Sequence, residues 1–434
     1  MCMAGLLEYT WGALNGSLAS MHHWGPAPVF WLFSVFVIFE SFVQILTGRL
    51  RDRGVPVGLL VIVGGLLCGI VAYGWLASST QLWEAYASYA ALGGIGSGMV
   101  YNSCINIVAK WYPEAKGWRT GFVNGGWAYG SVPFIIGIGA TASASGAGIM
   151  SAGQTIHFIW MQGIIMSVVM VIAGLLMKDP PKNWWPSHVD PAQLDRRATR
   201  DLQSNPPALR QYTLKEMYNT PQPWWLGIQF ALFIGSSLFG VAYYYPFANA
   251  MGLAGVAAIA GVAGFSLTDG LCRPIYGYIS EYIGRRRTIT YAYGLNAVFQ
   301  MGTFLFGYLH NPVGFVVCAI ISGGLSGANF PMTAAMVADY YGENNNSVNY
   351  GSVYAWKALG GSFAGGVAAL IMTGTLYGTP HFAWFRGFLF GAILAALAAF
   401  VAYRYCYPPT REQMERAVAR ARESEVPPEA PVPV

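Results

Sequence analysis

Charge is scarce in this sequence: Asp, Glu, Lys and Arg make up only 10% of 434 residues, against about 25% in an average soluble domain. A soluble globule of this length is excluded, because so few charges could not cover its surface. Paired cysteines are missing too. The six (Cys2, Cys68, Cys104, Cys272, Cys318 and Cys406) stand singly in apolar stretches. Without a CxxC or a Cys/His pair at ligand spacing, neither a disulfide framework nor a zinc site is expected. No basic face is interleaved with aromatics, so nucleic acid is not an expected partner. No strand signal precedes the glycine runs at Gly93, Gly94, Gly96 and Gly98 or at Gly323, Gly324 and Gly327, and no Gly-Lys-Ser/Thr follows them. They read as close helix packing rather than phosphate loops. No Ser/His/Asp set, metal spacing or cofactor motif occurs, so the expectation is a protein that is not an enzyme and needs no cofactor. The N-terminus lacks a basic n-region and an A-x-A end, and its run MCMAGLLEYTWGALNGSLAS reads as a first span with a short or missing lead-in rather than a cleaved signal.

What is present is apolar surface, with 55% hydrophobic residues and a mean hydropathy of +0.43. A membrane helix needs roughly 20 apolar residues. Twelve such stretches occur: 2–19, 28–48, 57–77, 83–109, 120–141, 155–177, 224–248, 254–280, 288–309, 313–338, 348–373 and 381–404. The fold class expected is an all-α membrane protein, with twelve transmembrane helices in two pseudo-symmetric six-helix bundles. The bundles would span 1–178 and 224–405, separated by a polar linker at 179–223 and followed by a disordered tail at 406–434. Thr213-Leu-Lys-Glu216 in the linker has the capping-box pattern of a short surface helix.

Lysine and arginine accumulate on the cytoplasmic side of a membrane protein. Twenty-one of the 24 lie in loops of one parity or in the tail. Both termini are therefore expected in the cytoplasm, with the chain spanning the inner membrane many times. The exceptions are Arg273 and Lys357 within spans, and Arg386 near the outer end of span 12, which reads as a snorkelling anchor.

The halves repeat. At an offset of 229, Glu40 falls on Asp269, Gly48 on Gly277, Asp52 on Glu281, Lys110 on Asp339 and Tyr112 on Tyr341. One extra loop residue shifts the offset to 230, and Gly121 then falls on Gly351, Val123 on Val353, Ala128 on Ala358 and Gly130 on Gly360. Two six-helix repeats with a substrate site near the midplane are the architecture of many secondary transporters.

These residues carry a resemblance, along essentially the whole chain, to the major facilitator superfamily. Gly277-Tyr-Ile-Ser-Glu281-Tyr-Ile-Gly284-Arg285-Arg286-Arg287 resembles its G-x-x-x-D-x-x-G-R-R loop, with Glu in place of Asp. The first-half copy, Gly48 to Gly54 with Asp52, is one residue shorter and lacks the trailing basic pair. The resemblance implies a gating role for Asp52, Gly277, Glu281 and Arg285. Cys272-Arg273-Pro274, Gly98-Met-Val-Tyr101, Lys110-Trp-Tyr-Pro113, Glu216-Met-Tyr-Asn-Thr-Pro-Gln222 and Asn349-Tyr-Gly with Lys357 are similar to the oxalate/formate antiporter family. Asp269-Gly-Leu-Cys-Arg273-Pro274 looks instead like the D-x-x-x-R-P of proton-linked monocarboxylate transporters.

Arg273 lies eight residues before Glu281, roughly 12 Å along a helix, and Lys357 is about as deep. A cation at that depth costs at least about 2.5–3.5 kcal/mol, so each should face a polar cavity and an anion. Asp269, one turn from Arg273, is a candidate internal partner. The resemblance implies that both cations bind substrate carboxylate, Arg273 as a planar fork and Lys357 as a point charge. It also points to Tyr9, Tyr101, Trp127 and Tyr354 as walls of the site, with Trp127 the repeat mate of Lys357. Of Tyr243, Tyr244 and Tyr245, only some can face a cavity. Gly323 and Gly327 replace bulky aromatics of the oxalate exchangers, which would leave a roomier pocket.

Three carboxylates, Glu8, Glu40 and Asp269, also lie within spans. With two cations they leave a surplus negative charge in low dielectric, which favours protonation of at least one during part of a cycle. The function expected is a secondary carrier of small carboxylates such as lactate, pyruvate, formate or oxalate, working by alternating access as a monomer in the lipid bilayer. H+ is the expected coupling ion, through Asp269, Glu40 and Glu8. The alternatives are an oxalate/formate-type exchanger without proton coupling and, more remotely, a carboxylate sensor.

Overall fold

Every apolar stretch becomes a helix in the computed structural model, which describes all residues except 113–115, 147, 182–204, 206–207, 209, 254, 343–344, 374–379 and 424–434. In the first half these are α1 (Leu6–Tyr9 and Trp11–His22), α2 (Pro26–Asp52), α3 (Val57–Ser78), α4 (Leu82–Ala85, Tyr86–Gly93 and Gly94–Trp111), α5 (Lys116–Tyr129 and Val132–Ala144) and α6 (Ala152–Leu176). In the second half they are α7 (Gln222–Ala250), α8 (Gly255–Ile283), α9 (Arg285–Tyr308), α10 (Pro312–Ser326 and Asn329–Tyr341), α11 (Asn346–Tyr354, Lys357–Ser362, Phe363–Val367 and Ala368–Thr373) and α12 (Pro380–Tyr405). The ends fall within a few residues of those expected, and no strand occurs among the described residues. Among the described residues, eight helices are long and apolar enough to cross a membrane on those grounds alone: α2, α3, α6, α7, α8, α10, α11 and α12. Breaks interrupt α1 and α5, while Gly, Ser, Asn and Tyr dilute the apolar run of α4, and Asn296, Gln300 and Thr303 that of α9.

The internal repeat reappears as a repeat of packing. In the first half α2 packs on α4, and α3 on both α4 and α6; in the second, α8 packs on α10, and α9 on both α10 and α12. Even the loops correspond. Gly54 and Gly284, 230 residues apart in the sequence, hold φ at 90° and 88°, a left-handed conformation that glycine adopts without a Cβ clash.

The halves meet along α5 with α8, α2 with α11 and α1 with α7. Small residues make these seams tight. A Cβ on Gly125 would collide with the carbonyl of Gly270, one on Gly361 with Val37, and one on Gly12 with the carbonyl of Val241. Pro274 has no N–H to give the Gly270 carbonyl one turn back, which frees that oxygen where α5 approaches. Along this seam Gly121 rests on Pro274 toward the arginine-rich end, and Gly255 on Ser143 toward the other. At the arginine-rich end Ser347 Oγ donates to Asn106 Oδ1 (3.1 Å), and at the other Asn249 Nδ2 donates to the Gly148 carbonyl (3.1 Å). The bundle is thus closed across its seam at both ends.

The segments outside the bundles dock unevenly. Asp179 turns back to accept from Arg51 Nη1 (2.8 Å), and this guanidinium holds its carboxyl below the usual carboxylate range. The capping box at Thr213 and Glu216 forms as expected, starting a helix over Leu214–Tyr218. Tyr212 N donates to the Tyr341 carbonyl (2.9 Å), and Asn205 caps the α8–α9 loop through Ser280 and Arg285. The described linker residues from 205 onward therefore belong with the second half, while Asp179 stays with the first. The tail departs from expectation, because instead of being disordered from 406 it forms a helix over Arg411–Glu423. Met414, Ala417 and Ala421 share one buried stripe of it. Asn219 Nδ2 reaches the Ala417 carbonyl (3.1 Å) and Gln222 Nε2 reaches Gln413 Oε1 (2.9 Å). That stripe repeats at helical spacing, and the short linker helix gives it a surface to cover.

Candidate functional site

Five charged side chains converge at mid-depth on the seam. Arg273, Lys357, Glu8 and Glu40 have no solvent exposure, and Asp269 has 1%. Arg273 is held from three helices. Its Nη2 lies 3.2 Å from Asp269 Oδ1 on its own helix and 3.2 Å from Tyr9 Oη on α1. Its Nη1 donates to both the carbonyl (3.1 Å) and the side-chain oxygen of Asn124 on α5. Tyr9 also donates to Asp269, closing a ring of three groups.

Lys357 sits where α11 is least regular. The helix is interrupted after Tyr354, resumes at Lys357 and continues through a wide π-type turn over Phe363–Val367, a form common at functional sites. Gly360 lies against Ile234 on α7 and Gly361 against Val37 on α2, which brings α11 close to both neighbours. The ammonium Nζ lies 2.8 Å from Glu8 Oε2 on α1 and 3.1 Å from Glu40 Oε2 on α2. Tyr354 Oη donates to Glu40 Oε1 (2.9 Å) and accepts from Nζ (3.3 Å), while Gln44 Nε2 donates to Glu40 Oε1 (2.9 Å).

An aromatic floor joins the two corners. The Arg273 guanidinium lies 4.6 Å from the centroid of Phe330, and Lys357 Nζ lies 5.7 Å from the same ring. Nζ is also 5.4 Å from the Trp127 ring, and Tyr101 packs at 5.1 Å against both Trp127 and Tyr354. Such faces attract desolvated cations. Tyr101 Oη accepts from Asn124 (3.1 Å), linking the floor to the Arg273 corner. The result is one connected network of two cations and three carboxylates, with neutral donors and acceptors between them.

The structure brings Tyr9, Tyr101, Trp127, Tyr354, Arg273, Lys357, Asp269, Glu40 and Glu8 together. It does not bring in the loop residues. Gly277 and Arg285 lie at the arginine-rich end, where Arg285 reaches the Gly277 carbonyl (3.4 Å) and Asp339 (3.3 Å). Glu281 is exposed there, and the side chain of Asp52, like Pro113 of the Lys110 motif, lies outside the described residues. The roomier pocket expected at Gly323 and Gly327 is not found. Their missing side chains admit the backbone of α8, since a Cβ would strike the carbonyls of Phe265 and Asp269. The other glycines read as packing sites behave likewise, Gly98 lying against the Glu40 carbonyl and Gly96 against that of Gly64. Of the three tyrosines, Tyr243 donates to the Gly365 carbonyl on α11 (2.8 Å) and Tyr244 contacts Ser322 on α10 (3.1 Å). Tyr243 with Asn15, Phe30 and Trp384 lines an apolar cavity of about 200 Å3 between the halves, on the far side of the cluster from the arginine-rich end.

Sequence reasoning missed Phe330, Asn124 and Gln44. The repeat holds the signal: Phe330 is 229 residues from Tyr101, Arg273 is 229 from Gln44, and Tyr354 is 230 from Asn124.

A family model described as Major Facilitator Superfamily matches residues 1–364 and again 225–428. The chain is 26% identical over 413 residues to a protein named Oxalate:formate antiporter from Oxalobacter formigenes, covering 94% of this chain and 90% of that one. It is 26% identical over 353 residues to an uncharacterized MFS-type transporter of Escherichia coli (strain K12), covering 81% of each. Among solved structures, a mutant of the nucleoside transporter NupG superposes with a TM-score of 0.66 at 12% identity, over 93% of this chain and 97% of that one. The D-xylose-proton symporter gives a TM-score of 0.66 at 12% identity, over 94% and 96%. At such identity these two likenesses concern the fold alone.

Proposed function

The chain belongs to the Major Facilitator Superfamily, a family of transporters rather than enzymes, and from that premise we propose that it is a secondary carrier of small carboxylate anions working by alternating access. The observation that carries the reading is the pair of fully buried cations, Arg273 and Lys357, sharing the Phe330 ring at the seam between the halves. A guanidinium and an ammonium so placed match a carboxylate as fork and point charge, while Tyr101, Trp127 and Tyr354 exclude water around it. The relative named an oxalate:formate antiporter supports the substrate class.

Carriage is coupled to protons in this reading. Asp269 and Arg273 balance each other, whereas Lys357 faces both Glu8 and Glu40. The surplus carboxylate is thus on the Lys357 side, where a proton relieves it. Strict anion exchange is the second reading, favoured by the name of that same relative. In this proposal the protein works as a monomer in the inner membrane, with both termini and the arginine-rich loops in the cytoplasm, and the loop around Gly277, Glu281, Arg285 and Asp52 gates that side. Two six-helix bundles, 1–178 and 224–405, rock about the site.

The test is a thermal-shift screen of purified protein against small mono- and dicarboxylates, followed by counterflow of each hit in liposomes. Stabilisation and counterflow by a carboxylate support the reading, and a carrier that moves only uncharged solutes overturns it. A sensor would bind without counterflow.

A further inference from the structure

The two acids at Lys357 are not equivalent. Glu40 is anchored without the lysine, since its Oε1 accepts from both Tyr354 and Gln44 at 2.9 Å. Among the described residues Glu8 has only the lysine. Its Oε2 accepts from Nζ at 2.8 Å, while its Oε1, wholly buried, has no hydrogen-bond partner among the described residues. Glu8 also precedes the break in α1 at Thr10, where the helix ends at Tyr9 and restarts at Trp11. The titratable groups that face it are Tyr9 on its own helix, Glu40 on α2, Tyr89 on α4, Asp269 on α8, and Tyr354 and Lys357 on α11. Of these only Lys357 is a cation, and it is the one that donates to Glu8.

Resting on the carboxylate-carrier reading, we infer that the Glu8 carboxylate is a tethered competitor for the substrate carboxylate at Lys357, released when Glu8 takes up a proton. The exchange is non-covalent: the proton goes to a Glu8 oxygen, the Nζ–H bond to Oε2 breaks, and Nζ–H donates instead to the incoming anion. Lysine keeps its charge throughout. Charge also selects the substrate. Two cations and three carboxylates leave one net negative charge, and adding a proton with a monoanion leaves that total unchanged. A dianion with one proton would deepen the buried charge, which low dielectric opposes. The cargo is therefore a monocarboxylate, taken with one proton.

The decisive experiment measures formate and L-lactate binding to full-length purified protein by calorimetry, alongside proton uptake in weakly buffered solution with a pH indicator. Wild type should take up close to one proton per anion bound, and its Kd should rise about tenfold per pH unit on the alkaline side, as a single linked proton requires. Glu8→Gln, neutral at every pH, should bind the anion with less than about twofold change over the same range and without proton uptake. Glu8→Ala provides a second variant, with the same expectation. Proton uptake that persists in a folded, anion-binding Glu8 variant overturns the role of Glu8. So does anion binding by wild type without proton uptake, whether or not either variant folds. If wild type binds neither these anions nor oxalate, the carboxylate reading itself fails, a different outcome from either.

Discussion

The two cation corners look alike in composition and differ in where their acids come from. Arg273 takes its carboxylate from its own helix, one turn away, and fills its remaining donors with neutral oxygens of Tyr9 and Asn124. Lys357 takes both of its acids from the opposite half, Glu8 on α1 and Glu40 on α2. In the proposed rocking cycle the first pair would travel with α8, while the second would have to stretch or exchange partners. Under the proposed function this arrangement would make Arg273 a fixed receptor and Lys357 a switch whose partners depend on the state of the carrier.

The largest effects should come from removing one member of each corner. Deleting one partner of a buried pair leaves an uncompensated charge at a cost of about 3–5 kcal/mol, so Lys357→Gln and Asp269→Asn should both lower the melting temperature and abolish uptake. They should then diverge with pH. Orphaned carboxylates can take protons and a guanidinium cannot lose one, so acidification should restore much of the stability of Lys357→Gln and none of that of Asp269→Asn. Melting followed by tryptophan fluorescence across a pH series reads this directly, and identical pH behaviour would erase the distinction between the corners. Next in size is Arg273→Lys, which keeps the charge but loses the fork onto Asn124. A loss of about 1–3 kcal/mol in anion binding is expected, measurable by calorimetry.

Smaller again are the hydroxyls. Tyr354→Phe removes a donor to Glu40 and Tyr9→Phe one to Asp269, at about 1–2 kcal/mol each. Only the first should alter the pH dependence of uptake, because only it touches the corner with surplus acid. The smallest effect should be Asp179→Asn at the arginine-rich end, where a partly exposed pair with Arg51 is worth at most about 1 kcal/mol. Since Arg51 depresses its titration, Asp179 contributes stability that is present above the ordinary carboxylate range near pH 4 and lost as pH falls through its lower folded value. Denaturation between pH 3 and roughly 6 should show wild type and variant converging in acid.

Much of this was legible beforehand because the membrane imposes strong constraints. Twelve apolar runs had to be helices, and the offsets of 229 and 230 related the halves before any contact was known. Depth alone marked Arg273 and Lys357, and the spacing of Asp269 to Arg273 announced their pairing. The partners of Lys357 were not legible, since Glu8 lies 349 residues away and nothing local distinguishes it from Glu40. Phe330 and Asn124 were hidden for a different reason: they are commonplace residues in membrane helices, and only their repeat mates mark them. The glycines of α10 misled because a missing side chain can admit a ligand or a helix, and packing decides which.

The most direct test of the account is uptake of radiolabelled formate and L-lactate into liposomes at clamped membrane potential, with and without an inward proton gradient and with no anion inside. The account predicts accumulation that grows with the gradient, needs no internal anion, and disappears in Lys357→Gln. Uptake that ignores the gradient and occurs only into vesicles preloaded with anion would contradict it, and would make the protein an exchanger whose buried acids serve structure alone.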